Sequence, residues 1–132
     1  MDSFALQDSI FSLLTNDVQM LSLLNNPSGN EELNLRCRRE DLLVSELSPE
    51  AIPFVSFVFI DAQLTNNYLT NNGVLEVNIY TVSRYDAMNI YRRLKELLYS
   101  DERYRIIAEG QIPSGISGIF LYRLRLKPII NS

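Results

Sequence analysis

The stretch VLEVNIYTVSRYDAMNIYRRLKELLY, residues 74–99, decides the fold. Its first part alternates. Leu75, Val77 and Ile79 interleave with Glu76, Asn78 and Tyr80, the period-two pattern of a strand with one buried face. At Ser83 the period changes. Ser83-Arg84-Tyr85-Asp86 reads as a capping box with Asp in place of Glu. Ala87, Ile90, Tyr91, Leu94, Leu97 and Leu98 then recur at three- and four-residue spacings. A helix over 86–99 is predicted, with Arg92, Arg93, Lys95 and Glu96 on its wet face.

On the N-terminal side, Asn72-Gly73 signals a turn. Before it, Phe54 to Ile60 is β-branched or aromatic almost throughout, which predicts a strand covered on both faces. Segments 54–64 and 74–82 form a long antiparallel hairpin across a loop in which Leu-Thr-Asn-Asn occurs twice. That loop is long, polar and nearly uncharged, so Asn66, Asn67, Tyr68, Asn71 and Asn72 are expected to dock on a partner. On the C-terminal side, 104–111 and 118–127 read as a second hairpin. In its last strand Phe120, Tyr122, Leu124 and Leu126 face one way, and Arg123, Arg125 and Lys127 the other.

The N-terminal part predicts two helices, over 3–14 and 18–24. Asp17 caps the second, and Asn25-Asn26-Pro27 stops it. Residues 31–50 carry a dense charge cluster, Arg36 to Glu40, and a short apolar patch, Leu42-Leu43-Val44, and read as a mostly irregular connection that leaves room for a short helix or strand. The expected fold is α+β, in one domain spanning 1–132. It is an antiparallel, roughly four-stranded sheet of two hairpins, with helix 86–99 packed on one face. The second face of strand 54–60 needs its own cover, either the N-terminal helices or a neighbouring subunit.

Composition narrows the function. The chain has 132 residues, 46% of them hydrophobic and 21% charged, which is globular chemistry. No apolar run approaches the ~20 residues of a membrane helix. Met-Asp-Ser-Phe lacks a basic leader region, so a cytoplasmic protein is expected. There is no histidine, which removes Ser-His-Asp and Cys-His nucleophiles and the usual neutral-pH base. The single cysteine, Cys37, sits between Arg36 and Arg38. It is either an incidental thiol or one whose pKa those arginines lower. The five glycines form no phosphate loop. The reading is a non-enzyme without cofactor, metal or catalytic residues, working by binding or assembly.

Charge is divided along the chain. Residues 1–83 hold three arginines against eleven carboxylates, net −8, and residues 84–132 hold nine cations against five carboxylates, net +4. These charges either neutralise each other within the fold, or meet between subunits stacked head to tail, or touch nucleic acid. Arginine outnumbers lysine ten to two, which suits bidentate pairing at interfaces. Arg92, Arg93, Arg123 and Arg125 are therefore the candidate interface cations.

Several segments together resemble a known family. They are a helical start ending in Leu-Leu-Asn-Asn-Pro (23–27), the strand entry Ile-Pro-Phe-Val-Ser-Phe (52–57), the strand Val-Leu-Glu-Val-Asn-Ile-Tyr-Thr-Val-Ser (74–83) running directly into a capped helix, and a closing hairpin. This order resembles the small tail terminator and tail completion proteins of long-tailed bacteriophages, the head–tail joining group. The resemblance runs from about residue 3 to 127, with 31–50 outside the pattern. It implies a structural virion protein of the tail or neck, made in the host cytoplasm. Such a protein forms a ring, usually of six subunits, that caps the tail tube protein and meets the head connector or stopper protein. DNA would pass through its lumen without sequence-specific binding.

The alternative is a small α+β regulatory or nucleic-acid-binding domain, with Arg123, Arg125 and Lys127 beside Tyr122 imitating a single-strand-binding sheet. Strand alternation, however, turns Tyr122 away from those cations.

Overall fold

The computed structural model describes residues 3–27, 29–38, 52–61, 73–101 and 104–128. Four helices and five strands follow in the order α1 (Ser3–Thr15), α2 (Val18–Leu23), α3 (Gly29–Arg36), β1 (Cys37–Arg38), β2 (Phe54–Asp61), β3 (Gly73–Thr81), α4 (Arg84–Asp101), β4 (Tyr104–Ile112) and β5 (Phe120–Pro128). The α+β class stands. The sheet is mixed and five-stranded, in the order β1-β2-β3-β5-β4. The expected four antiparallel strands are all present, as two hairpins joined through β3 and β5. The added strand, β1, pairs parallel to β2 through Cys37↔Val55 and Arg38↔Ser56. It lies in the segment read as mostly irregular with room for a short helix or strand, and α3 and β1 are those two elements. A two-residue strand leaves no periodicity to see.

The change of period at Ser83 is a physical junction. Thr81 Oγ1 donates to Ser83 O at 2.6 Å. Ser83 Oγ accepts from the Asp86 amide at 3.2 Å. One of the helix's open N–H groups is thereby satisfied. From this cap α4 crosses the sheet and delivers β4 to the far edge. β5 then fills the gap between β3 and β4.

Alternation sorts the sheet into two faces. On one, Val55, Phe57, Leu75, Val77, Ile79, Leu124 and Leu126 are buried in a single cluster with Ile10 and Leu14 of α1, Met20 of α2, and Ala87, Ile90, Leu94 and Leu98 of α4. The N-terminal helices thus share a face with α4 and do not cover the second face. Gln7 confirms the placement by donating Nε2 to Phe57 O at 3.2 Å. Asp17 caps α2 as expected, accepting from the Met20 amide at 2.8 Å. The stop after it uses left-handed backbone at Asn25 (φ 64°) and Asn26 (φ 49°), which asparagine tolerates best among residues with a Cβ. Cys37 belongs to this dry cluster. Burial pushes its thiol up to about 12, overriding any lowering by its arginine neighbours.

Candidate functional site

The opposite face carries a different chemistry. At one end Ile52, Phe54, Tyr80 and Leu121 form a small apolar cluster. The Phe54 and Tyr80 rings stack at 4.7 Å, and the Arg38 guanidinium lies 5.3 Å from the centre of the Phe54 ring. Two residues further along each strand the face turns polar. Ser56, Asn78, Arg123 and Gly110 fall in one register row, and Val58, Glu76, Arg125 and Ala108 in the next. Arg123 Nε donates to Asn78 Oδ1 at 2.7 Å and lies 3.2 Å from Glu76 Oε1. Arg125 Nε donates to Glu76 Oε2 at 3.3 Å. Asn78 Nδ2 donates to Glu76 Oε1 at 3.4 Å. One buried carboxylate therefore anchors two arginines. Arg123 is mostly buried, while half of Arg125 remains exposed.

Arg93 is also engaged within the fold. Its Nε donates to Asp17 Oδ2 at 2.8 Å, and its Nη2 reaches Asp17 Oδ1, a two-point grip that fastens α4 to the first turn of α2. Its Nη1 adds Glu96 at 2.8 Å. Hydrogen bonding from Arg93 holds the Asp17 carboxyl below the usual carboxylate range, and Asp17 in turn raises Arg93.

Of the four candidate arginines, Arg92 is the one without an ion pair or hydrogen bond among the described residues. It is exposed on α4 between two grooves. The first, about 330 Å³, runs between the N-terminal half of α4 and β4–β5, with Arg84, Met88, Tyr91, Gln111, Phe120 and Tyr122 along it. The second, about 340 Å³, lies between α2 and α4, beside Gln19, Leu23 and Asn89. Arg84 was not singled out by sequence and is also exposed without a partner among the described residues. Its signal was present: Arg84, Met88 and Arg92 stand four residues apart, one stripe of the helix. In the first groove Tyr91 Oη donates to Glu109 Oε2 at 2.5 Å, and the Tyr91 and Tyr122 rings meet at 5.1 Å. Burial, with Glu109 nearby, raises the Tyr122 phenol. Large apolar groups stand exposed nearby, Val82 and Tyr85 at the start of α4 and Val18 at the start of α2.

Among the described residues the four arginines thus divide into three that are anchored and one, Arg92, that has no partner. Tyr122 faces the helices, away from Arg123 and Arg125, as alternation required. Asn66, Asn67, Tyr68, Asn71 and Asn72 lie outside the described residues. Among the described residues no three Cys, Asp or Glu side chains gather as metal ligands, and no helix is long and apolar enough to cross a membrane. Compared with known family models and with curated proteins, the chain matches none.

Proposed function

We propose that this chain is a ring-forming structural subunit of a phage tail, the terminator or completion protein that caps the tail tube and receives the head connector. The observation that carries the reading is the β3–α4–β4–β5 arrangement. A strand runs through a two-residue cap into an amphipathic helix, and the closing hairpin inserts its last strand beside the first. This is the architecture in which the resemblance resides. The surface supports it. Arg84 and Arg92, with Val82 and Tyr85 exposed at the start of the same helix, offer the mixed cationic and apolar chemistry of a protein contact. A six-subunit ring places that surface at each joint, leaving the ring's two ends for tube protein and connector, with DNA passing through the lumen.

The test is assembly. Light scattering across micromolar concentrations, with and without tail tube protein, is expected to show a closed oligomer near six times 15.2 kDa. A monomer under all these conditions would sink the reading. Tight, salt-sensitive binding of a short oligonucleotide by that monomer would favour the regulatory or nucleic-acid-binding domain in its place.

A further inference from the structure

We propose that the groove between α4 and β4–β5 receives the start of α3 from a second copy of this chain, with Glu31 of that copy entering between Arg84 and Arg92. This rests on the ring reading and names the contact that would close the ring.

Charge complementarity selects the occupant. Arg84 and Arg92 lie about 12 Å apart along the helix axis, on the rim of a groove whose interior is Ala87, Met88, Tyr91, Phe120 and Tyr122. Neither has a partner among the described residues, whereas Arg93, Arg123 and Arg125 are bound to Asp17, Glu96 and Glu76. Arg105 and Lys127 are exposed too, but they sit opposite each other in the β4–β5 ladder and border neither groove beside Arg92. On the acidic side, Asp17, Glu76 and Glu96 are committed to arginines of their own copy, Glu109 accepts from Tyr91, Asp8 also has an interaction within its copy, and exposed Asp86 stands in the first turn of α4, on the groove's own helix. Glu31 is exposed, and no partner holds it within the described fold. It lies in the first turn of α3, the helix that leads into β1. β1 is one edge of the sheet and β4 is the other. Donor and acceptor surfaces therefore sit at opposite ends of the molecule. Joining them repeats in one direction, the head-to-tail geometry that makes rings. Exposed Val82 and Tyr85 at the start of α4 supply apolar surface beside the groove.

The experiment is a charge exchange read by analytical ultracentrifugation. Arg92→Glu is expected to weaken association by about tenfold or more, because a desolvated interface charge then meets its own sign. Glu31→Arg is expected to do the same, and the two together to restore most of the loss. Far-UV circular dichroism should be unchanged, since both side chains are exposed, while thermal unfolding follows the weaker association. Should Arg92→Glu fail to fold, Arg92→Gln with Arg84→Gln reads the same contact with less perturbation. Wild-type assembly that survives Arg92→Glu overturns this contact and leaves the ring intact. So does loss of assembly without recovery in the exchanged pair, which assigns the groove to another surface. A wild type that never associates removes the ring and the contact together. Binding of a single-stranded oligonucleotide that disappears in Arg84→Ala with Arg92→Ala overturns the proposal in favour of a nucleic-acid groove.

Discussion

On the helix-covered face of the sheet, Phe57, Val77 and Leu124 line up across three strands beneath α1, α2 and α4. One residue back on β2 and β5, and one on along β3, Ser56, Asn78 and Arg123 line up on the other face. Both rows are well packed, yet they are held differently. The first is stabilised by apolar burial, about 25 cal/mol for each Å² removed from water. The second depends on each polar atom finding a partner, because an unpaired buried donor or acceptor costs about 1–3 kcal/mol. The lesson is that one strand, read residue by residue, belongs to two energetic regimes. The polar regime accounts for Arg123 and Arg125 within the fold, whereas Arg84 and Arg92 on α4 have no partner among the described residues.

The comparison breaks most readily at Phe57. Phe57→Ala removes a fully buried ring and is expected to cost about 3–5 kcal/mol, measured by urea unfolding. A loss below 1 kcal/mol would mean the helical layer is not a packed core.

Asp17→Ala comes next, at about 1–2 kcal/mol, mainly the lost N-cap of α2 with a small addition from a partly exposed ion pair. Its pH dependence has a definite sign. The folded carboxyl sits below its ordinary value of 3.8 because Arg93 stabilises the ionised form. Its contribution is therefore complete above 3.8 and lost as pH falls through the lower, folded value. Wild type and Asp17→Ala should converge in stability under acid, and parallel curves would refute the pairing.

Glu76→Ala tests the polar face, at about 1 kcal/mol. The freed guanidiniums, already partly in water, can be solvated. A loss rivalling that of Phe57→Ala would show a far drier face than the exposed half of Arg125 implies. The smallest effect is Ser56→Ala. Ser56 Oγ is buried with no hydrogen-bond partner among the described residues, so its removal is expected to raise stability by up to about 1 kcal/mol. A clear loss would reveal a partner for the hydroxyl.

Local rules made much of this fold legible. The change of period at Ser83, the alternation of β3 and β5, and the Asp17 cap all act between near neighbours in the chain, where sequence records them. β1 was not legible because two residues become a strand only by pairing with Val55 and Ser56. The stripes of α1 and α2 announced that they bury a side, but an amphipathic stripe does not say against which sheet face. Cys37 illustrates the same limit. Its arginine neighbours in sequence left a lowered pKa open beside an incidental thiol, while its neighbours in space bury it and raise the thiol. The candidate site was half visible. Arg92 stood out as a wet-face cation, but the internal commitments of Arg93, Arg123 and Arg125 depend on partners 3, 45 to 49 and 76 residues away, the Asn78 amide among them.

The position of β5 has a consequence for biosynthesis. A ribosome makes this strand after both of the strands it separates. Until residue 120 emerges, β3 and β4 each present a bare edge, and the two hairpin halves have no shared ladder. The nascent chain can form α1, α2 and the β2–β3 hairpin early, but the sheet closes only once β5 has been made. The α4–β4–β5 groove is therefore complete only after β5 has been made.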